Sequence, residues 1–166
     1  MNRTIVMDTN LGTIKIEMFE DKMPITTANF IKLVEEGYFD DTKFHRVIPN
    51  FMIQGGDPLS RDDSKQSRWG TGGPGYAIED EFHPETSNVR GSIAMANSGP
   101  NSGGSQFFIN MVDNAFLDYN KPPAQSKHPV FGKVTDGMDI VDKIGAVATS
   151  RDVPVKPIII EKVFVG

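Results

Sequence analysis

From Lys43 to Met111 the chain never sustains an apolar run. Phe44–Ile48, Met52–Gln54, Ser92–Ala96 and Phe107–Met111 stand apart, divided by segments rich in Gly, Pro, Asn and Ser. This punctuation constrains the fold more than any other feature, because stretches so short suffice for strands and not for core helices. The segment Thr4–Met18 carries two β-rich stretches around Asn10-Leu11-Gly12, where Asn and Gly can take positive φ, and it predicts a hairpin. Helical spacing is confined to two places. After Met23-Pro24, the stretch Ile25–Glu36 sets Ala28, Phe30, Ile31, Leu33 and Val34 at helical intervals, with Thr26 or Thr27 near its start and Gly37 just past its end. Gly137–Ile144 puts Met138, Val141 and Ile144 on one face, with Asp136 as candidate cap and Gly145 as the stop.

A last strand is expected over Ile158–Val165, and strands at the two termini can pair. Two helices are too few to cover a parallel sheet, so the expected fold class is mainly β, an antiparallel barrel with helices over its ends. Neither repeats nor linkers break the pattern, and 1–166 is expected to be one domain.

Charge and composition then exclude several kinds of function. The formal net charge is -5 and the basic residues are scattered, so nucleic acid is not an expected partner. No apolar run approaches the ~20 residues that cross a bilayer, and Met1–Asn10 lacks a basic region followed by an apolar signal core. The expectation is a soluble cytoplasmic protein with no membrane partner. The absence of cysteine removes disulfides, thiolate metal ligands and cysteine nucleophiles. His45, His83 and His128 are the only histidines and none belongs to an H-E-x-x-H pattern, so no metal site is expected. The acidic run Glu79-Asp80-Glu81 lacks a calcium-loop pattern and reads as a solvated charge run. No G-x-S-x-G elbow marks an activated serine. The glycine clusters Gly70–Gly75 and Gly99–Gly104 lack the Lys-Ser/Thr of a phosphate loop and read as loops that shape a groove.

What remains is an uncommon mixture of aromatic and amide residues with one arginine. It lies in Phe44-His45-Arg46-Val47-Ile48-Pro49-Asn50-Phe51-Met52-Ile53-Gln54-Gly55-Gly56-Asp57 and in Met95-Ala96-Asn97-Ser98-Gly99-Pro100-Asn101-Ser102-Gly103-Gly104-Ser105-Gln106-Phe107-Phe108-Ile109. These two blocks, in this order, resemble the signatures of the cyclophilin prolyl isomerases. The likeness runs from the first hairpin through Val130-Phe131-Gly132-Lys133-Val134 to the last strand. The pattern is closest to bacterial single-domain cyclophilins, which the long segment Asp118–Ser126 also resembles.

The resemblance implies a closed eight-stranded antiparallel β-barrel capped by two helices, with the substrate groove on its outer face. It implies an enzyme that rotates X-Pro peptide bonds in proline-containing polypeptides and assists folding, with no cofactor and no covalent intermediate. By the same carry-over Arg46 is the catalytic residue. Phe51, Met52, Phe108 and Leu117 line a socket for the proline ring, with Phe116 on its apolar wall and His128 at its edge. Gln54 holds the substrate carbonyl, and Ala96, Asn97 and Gln106 fix the residues before proline. Singly, Phe51, Met52 and Phe108 read as core and Arg46 as a surface ion-pair partner; the block context assigns them to the site. His45 falls on the opposite face from Arg46 by strand alternation and is expected to be a structural hydrogen-bonding residue.

Phe116 stands where many cyclophilins carry a tryptophan whose indole N–H helps bind cyclosporin, so cyclosporin binding is expected to be weakened. Trp69, just before the groove-bordering glycine loop, is expected to report on ligand by fluorescence. The competing reading is a noncatalytic module or holdase that captures proline-containing segments, which would not need Arg46.

Overall fold

The computed structural model describes residues 2–120 and 127–166. Chain order gives β1 (Thr4–Thr9), β2 (Gly12–Met18), α1 (Pro24–Glu35), β3 (Thr42–Lys43), β4 (Arg46–Ile48) and β5 (Met52–Gly55). It continues through β6 (Ser92–Met95), β7 (Phe107–Asn110), β8 (Val130–Asp136), α2 (Met138–Gly145), β9 (Thr149–Ser150), β10 (Val153–Pro154) and β11 (Ile159–Val165). Short 3₁₀ turns at Pro58–Arg61, Asp63–Arg68 and Ala115–Leu117 punctuate the long connections. Among the described residues no helix is long and apolar enough to cross a membrane.

Among the described residues nine strands form one antiparallel sheet in the order β3-β11-β1-β2-β8-β6-β7-β5-β4, and β9 pairs with β10 separately. The terminal strands do pair, Ile5 facing Val165. The closed eight-stranded barrel is corrected: the sheet is an open, curled half-barrel of nine strands. Its edge strands β3 and β4 are separated only by Phe44-His45, and they are too short to face each other in a ladder. The backbone groups at this seam bond instead to the chain after α2. Phe44 donates to the Ile158 carbonyl at 3.0 Å and Val47 to that of Asp152 at 2.7 Å.

The main core lies inside the curl, with α1 and α2 against it. Phe30 of α1 packs on Phe39, Phe107 and Phe131 at ring separations of 4.8, 5.6 and 5.0 Å, and α2 contributes the buried Val141 and Ile144. Strand alternation sends Val47, Ile53, Ile93, Phe107, Ile109 and Phe131 inward. Met52, Ala94, Phe108 and Val130 form a second, separate cluster on the outer face.

The helix ends depart from expectation. The first turn of α1 is capped by neither Thr26 nor Thr27. The carboxylate of Glu81 accepts from the Ile25 and Thr26 amides at 3.1 and 2.9 Å. The acidic run is therefore not simply solvated, and Asp80 likewise accepts from the Asn101 amide at 3.0 Å. Asp136 ends β8, and Gly137 at φ 90° takes the cap position of α2. A Cβ there would overlap the Thr13 carbonyl, which is why the turn requires glycine. In the first hairpin Gly12 alone has positive φ; Asn10 instead brackets β11, accepting from the Ile159 amide at 2.9 Å and donating to the Pro157 carbonyl at 3.0 Å.

Candidate active site

Pairing across β4, β5, β7, β6 and β8 sets Arg46 opposite Gln54, Gln54 opposite Phe108, Phe108 opposite Ala94, and Ala94 opposite Val130. This row runs across the outer face, and each member is brought there by alternation from a strand whose other face is core. A pocket of about 130 Å³ opens on it, lined by Arg46, Phe51, Met52, Gln54, Ala96, Asn97, Phe108, Leu117 and His128. A neighbouring hollow of about 470 Å³ shares Gln54, Ala96 and Asn97, and adds Gln106 and the loop Gly70–Pro74. The sequence-assigned residues therefore converge. Gln106 belongs to the neighbouring hollow, and Phe116 stands outside the pocket, 54% exposed and stacked on Phe51 at 6.2 Å.

The polar side of the site is a chain of amides. Arg46 Nη1 donates to Gln54 Oε1 at 3.1 Å, Gln54 Nε2 to Gln106 Oε1 at 3.0 Å, and Gln106 Nε2 to the Gly72 carbonyl at 2.9 Å. Asn97 Nδ2 donates to the Lys127 carbonyl at 2.6 Å, tying the pocket rim to the entry of β8.

His128 meets Phe108 edge to face at 5.2 Å, with Nδ1 2.9 Å from the Met95 carbonyl. A carbonyl only accepts, so this bond requires the proton on Nδ1. Burial lowers the His128 pKa from 6.5, against the pull of that carbonyl. At neutral pH the pocket edge is therefore an uncharged imidazole.

Sequence reasoning missed the buried amide network behind the pocket. Asn114 Nδ2 holds the Phe51 carbonyl at 3.1 Å and Asn110 Oδ1 at 2.9 Å, while Asn110 Nδ2 reaches Asn88 Oδ1 at 3.0 Å. Asp118 closes it by accepting from Asn88 Nδ2 at 2.9 Å. These shared hydrogen bonds offset much of the desolvation cost of burying the amides beneath an apolar pocket. The asparagines are visible in the sequence, yet nothing in their spacing shows that they converge.

His45 and Trp69 line neither the pocket nor its neighbouring hollow. His45 is 4% exposed, and neither ring nitrogen has a hydrogen-bond partner among the described residues. Burial lowers its pKa from 6.5, against the pull of the nearby Asp57 carboxylate. Trp69 lines a separate cavity of about 860 Å³ with Lys43 and Val155, Lys43 Nζ lying 5.3 Å from its ring. It is not part of the pocket. The stretch 118–126 is described only to Asn120, so its residues 121–126 lie outside the described residues.

No group of three or more His, Cys, Asp or Glu that could hold a metal occurs among the described residues. The model of one protein family, "Cyclophilin type peptidyl-prolyl cis-trans isomerase/CLD", matches residues 4–165. A peptidyl-prolyl cis-trans isomerase of Acinetobacter baylyi is 44% identical over 163 residues, covering 95% of this chain and 82% of the relative. A peptidyl-prolyl cis-trans isomerase-like 1 of Rhizopus delemar is 41% identical over 149 residues, covering 89% and 83%. The crystal structure of a cyclophilin-type isomerase from Cryptosporidium parvum superposes with a TM-score of 0.86 at 31% identity, covering 100% of this chain and 98% of that one. The chain belongs to the cyclophilin-type peptidyl-prolyl cis-trans isomerases, enzymes that turn the peptide bond preceding proline.

Proposed function

We propose that the pocket on the outer face holds the substrate proline ring and that Arg46 is the catalytic residue. Rotation about X-Pro is resisted by ~18–20 kcal/mol because the nitrogen lone pair is delocalised into the carbonyl. In the twisted state the lone pair returns to a pyramidal nitrogen and the carbonyl loses part of its dipole. An apolar enclosure and a donor near that nitrogen therefore favour the twisted state over the planar one. No bond is broken, so nucleophile and general base have no part. Accelerating a bond that turns over in tens to hundreds of seconds to about a thousand events per second requires about 7 kcal/mol. A charge-assisted hydrogen bond from Arg46 supplies about 1.5–3 kcal/mol of this. Enclosure of the ring and restraint of the flanking chain supply the rest.

The observation that carries this reading is the cross-strand row. It puts Arg46, the one cation among the pocket's described lining residues, beside Gln54 and over the floor of Met52 and Phe108. Phe51 and Leu117 form the remaining apolar wall, Phe116 extends it, and His128 closes the edge as a neutral ring. Gln54 holds the substrate carbonyl, and Ala96, Asn97 and Gln106 hold the residues preceding proline. The Cryptosporidium parvum isomerase, which covers 99% of this chain, was also crystallised in the presence of the dipeptide Ala-Pro, which supports a proline-containing ligand for this pocket. One sheet draws its strands from Thr4 to Val165, which supports reading 1–166 as one isomerase domain. The scattered basic residues and net charge of -5 support peptide rather than nucleic acid as partner.

The test is the cis-to-trans rate of a short Ala-Pro peptide with the native protein and with Arg46→Ala. Arg46 is exposed, and among the described residues its side chain hydrogen-bonds to Gln54 alone, so the variant should fold normally and lose at least about tenfold in kcat/KM. An unchanged rate would remove Arg46 from the catalytic role. No acceleration by the native protein would leave the noncatalytic proline binder as the better account.

A further inference from the structure

Asp57 plays no part in the reaction described above, yet its side chain is fully buried. A buried carboxylate is costly unless its charge is met by hydrogen bonds or a cation. None of the ion pairs among the described residues involves Asp57. Three backbone amides meet it instead. Oδ1 accepts from Leu59 at 2.8 Å, and Oδ2 accepts from Gly70 at 2.5 Å and Gly72 at 3.2 Å. A Cβ on Gly72 would overlap Asp57 Oδ1, so the close approach itself demands glycine.

The loop that Asp57 grips faces the site through the Gly72 carbonyl, the last acceptor in the chain Arg46–Gln54–Gln106–Gly72. A primary amide has one accepting end and one donating end. Arginine only donates and a carbonyl only accepts, so the two ends of this chain force one orientation on both glutamines. Turning either amide over would set like ends against each other.

We propose that Asp57 is a positioning residue for the isomerase: it fixes the Gly70–Gly72 backbone, whose carbonyl orients Gln106 and Gln54 and through them Arg46. The proposal rests on the roles assigned above to those three residues. Asp57→Asn keeps the shape and replaces one accepting oxygen by a donor, which cannot receive the N–H groups of both Leu59 and the glycine loop.

The expected result is a folded protein with kcat/KM for an Ala-Pro peptide reduced about tenfold. In the free protein, the side-chain amide NMR signals of Gln54 and Gln106 should shift. Adding Gln106→Ala to Asp57→Asn should cost little more than either change alone, because both break one chain. If Asp57→Asn does not fold, Gly72→Ala displaces the same carboxylate from the loop side and carries the same expectations. Unmoved glutamine signals, or losses that multiply in the double variant, would overturn the proposal. Failure of Gln54→Ala and Gln106→Ala to slow the enzyme would instead sink the assigned site roles, and the NMR arm of the free protein would still decide whether Asp57 orients the amides.

Discussion

Arg46 and His45 are neighbours in sequence and opposites in environment. One projects into the groove; the other is buried, and neither of its ring nitrogens has a hydrogen-bond partner among the described residues. Alternation told the faces apart correctly, but it could not tell how deeply His45 is buried. The same limit applies to Phe116. Its identity was legible, whereas its 54% exposure and its stack on Phe51 came from the 3₁₀ turn Ala115–Leu117. Phe116→Trp would restore an indole donor on an exposed wall. One net hydrogen bond is worth ~1 kcal/mol, so cyclosporin affinity measured by calorimetry should rise about fivefold. Equal affinity in the two proteins would show that position 116 does not limit cyclosporin binding.

Elements were legible where local pattern decides them. Both helices lie within a residue or so of expectation, and the first hairpin and final strand are where alternation put them. Their ends were not legible, because the capping groups come from elsewhere in the chain. Glu81 lies far from α1 in sequence, and only the fold brings its carboxylate to the first-turn amides of Ile25 and Thr26. A cap of this kind contributes ~1 kcal/mol, with a further favourable interaction between the negative charge and the helix dipole. Glu81→Ala should therefore lower stability by about 1 kcal/mol and Tm by about 3 °C in a thermal melt. A Tm equal to that of the native protein would mean that water replaces the carboxylate without loss.

At the scale of the whole molecule, burial of two imidazoles makes stability depend on pH. His45 and His128 both have folded pKa values pushed below 6.5, chiefly by desolvation. Between those depressed values and about 6.5 the unfolded chain binds more protons than the folded one, so stability falls as pH drops through that window. Glu20, Asp21, Asp62 and Asp142 are held below their ordinary values of 4.5 and 3.8 by hydrogen bonds, so they stay ionised down through pH 5. Tm should accordingly decline between pH 7.5 and 5, and His45→Leu should flatten part of that decline. A parallel decline in the variant would assign the effect to His128 alone. The sequence by itself determined the strand-rich class, both helices, the family and which residues are candidates for the site, because periodicity, turn chemistry and the two signature blocks are local properties of the chain. Only the tertiary structure decided that the sheet stays open, that Glu81 caps α1, that His45 is buried, and that Asp57 grips the glycine loop behind the amide chain. Each of these depends on which distant backbone and side-chain groups meet, and burial and hydrogen-bond partners are set by curling the sheet rather than by neighbours in sequence.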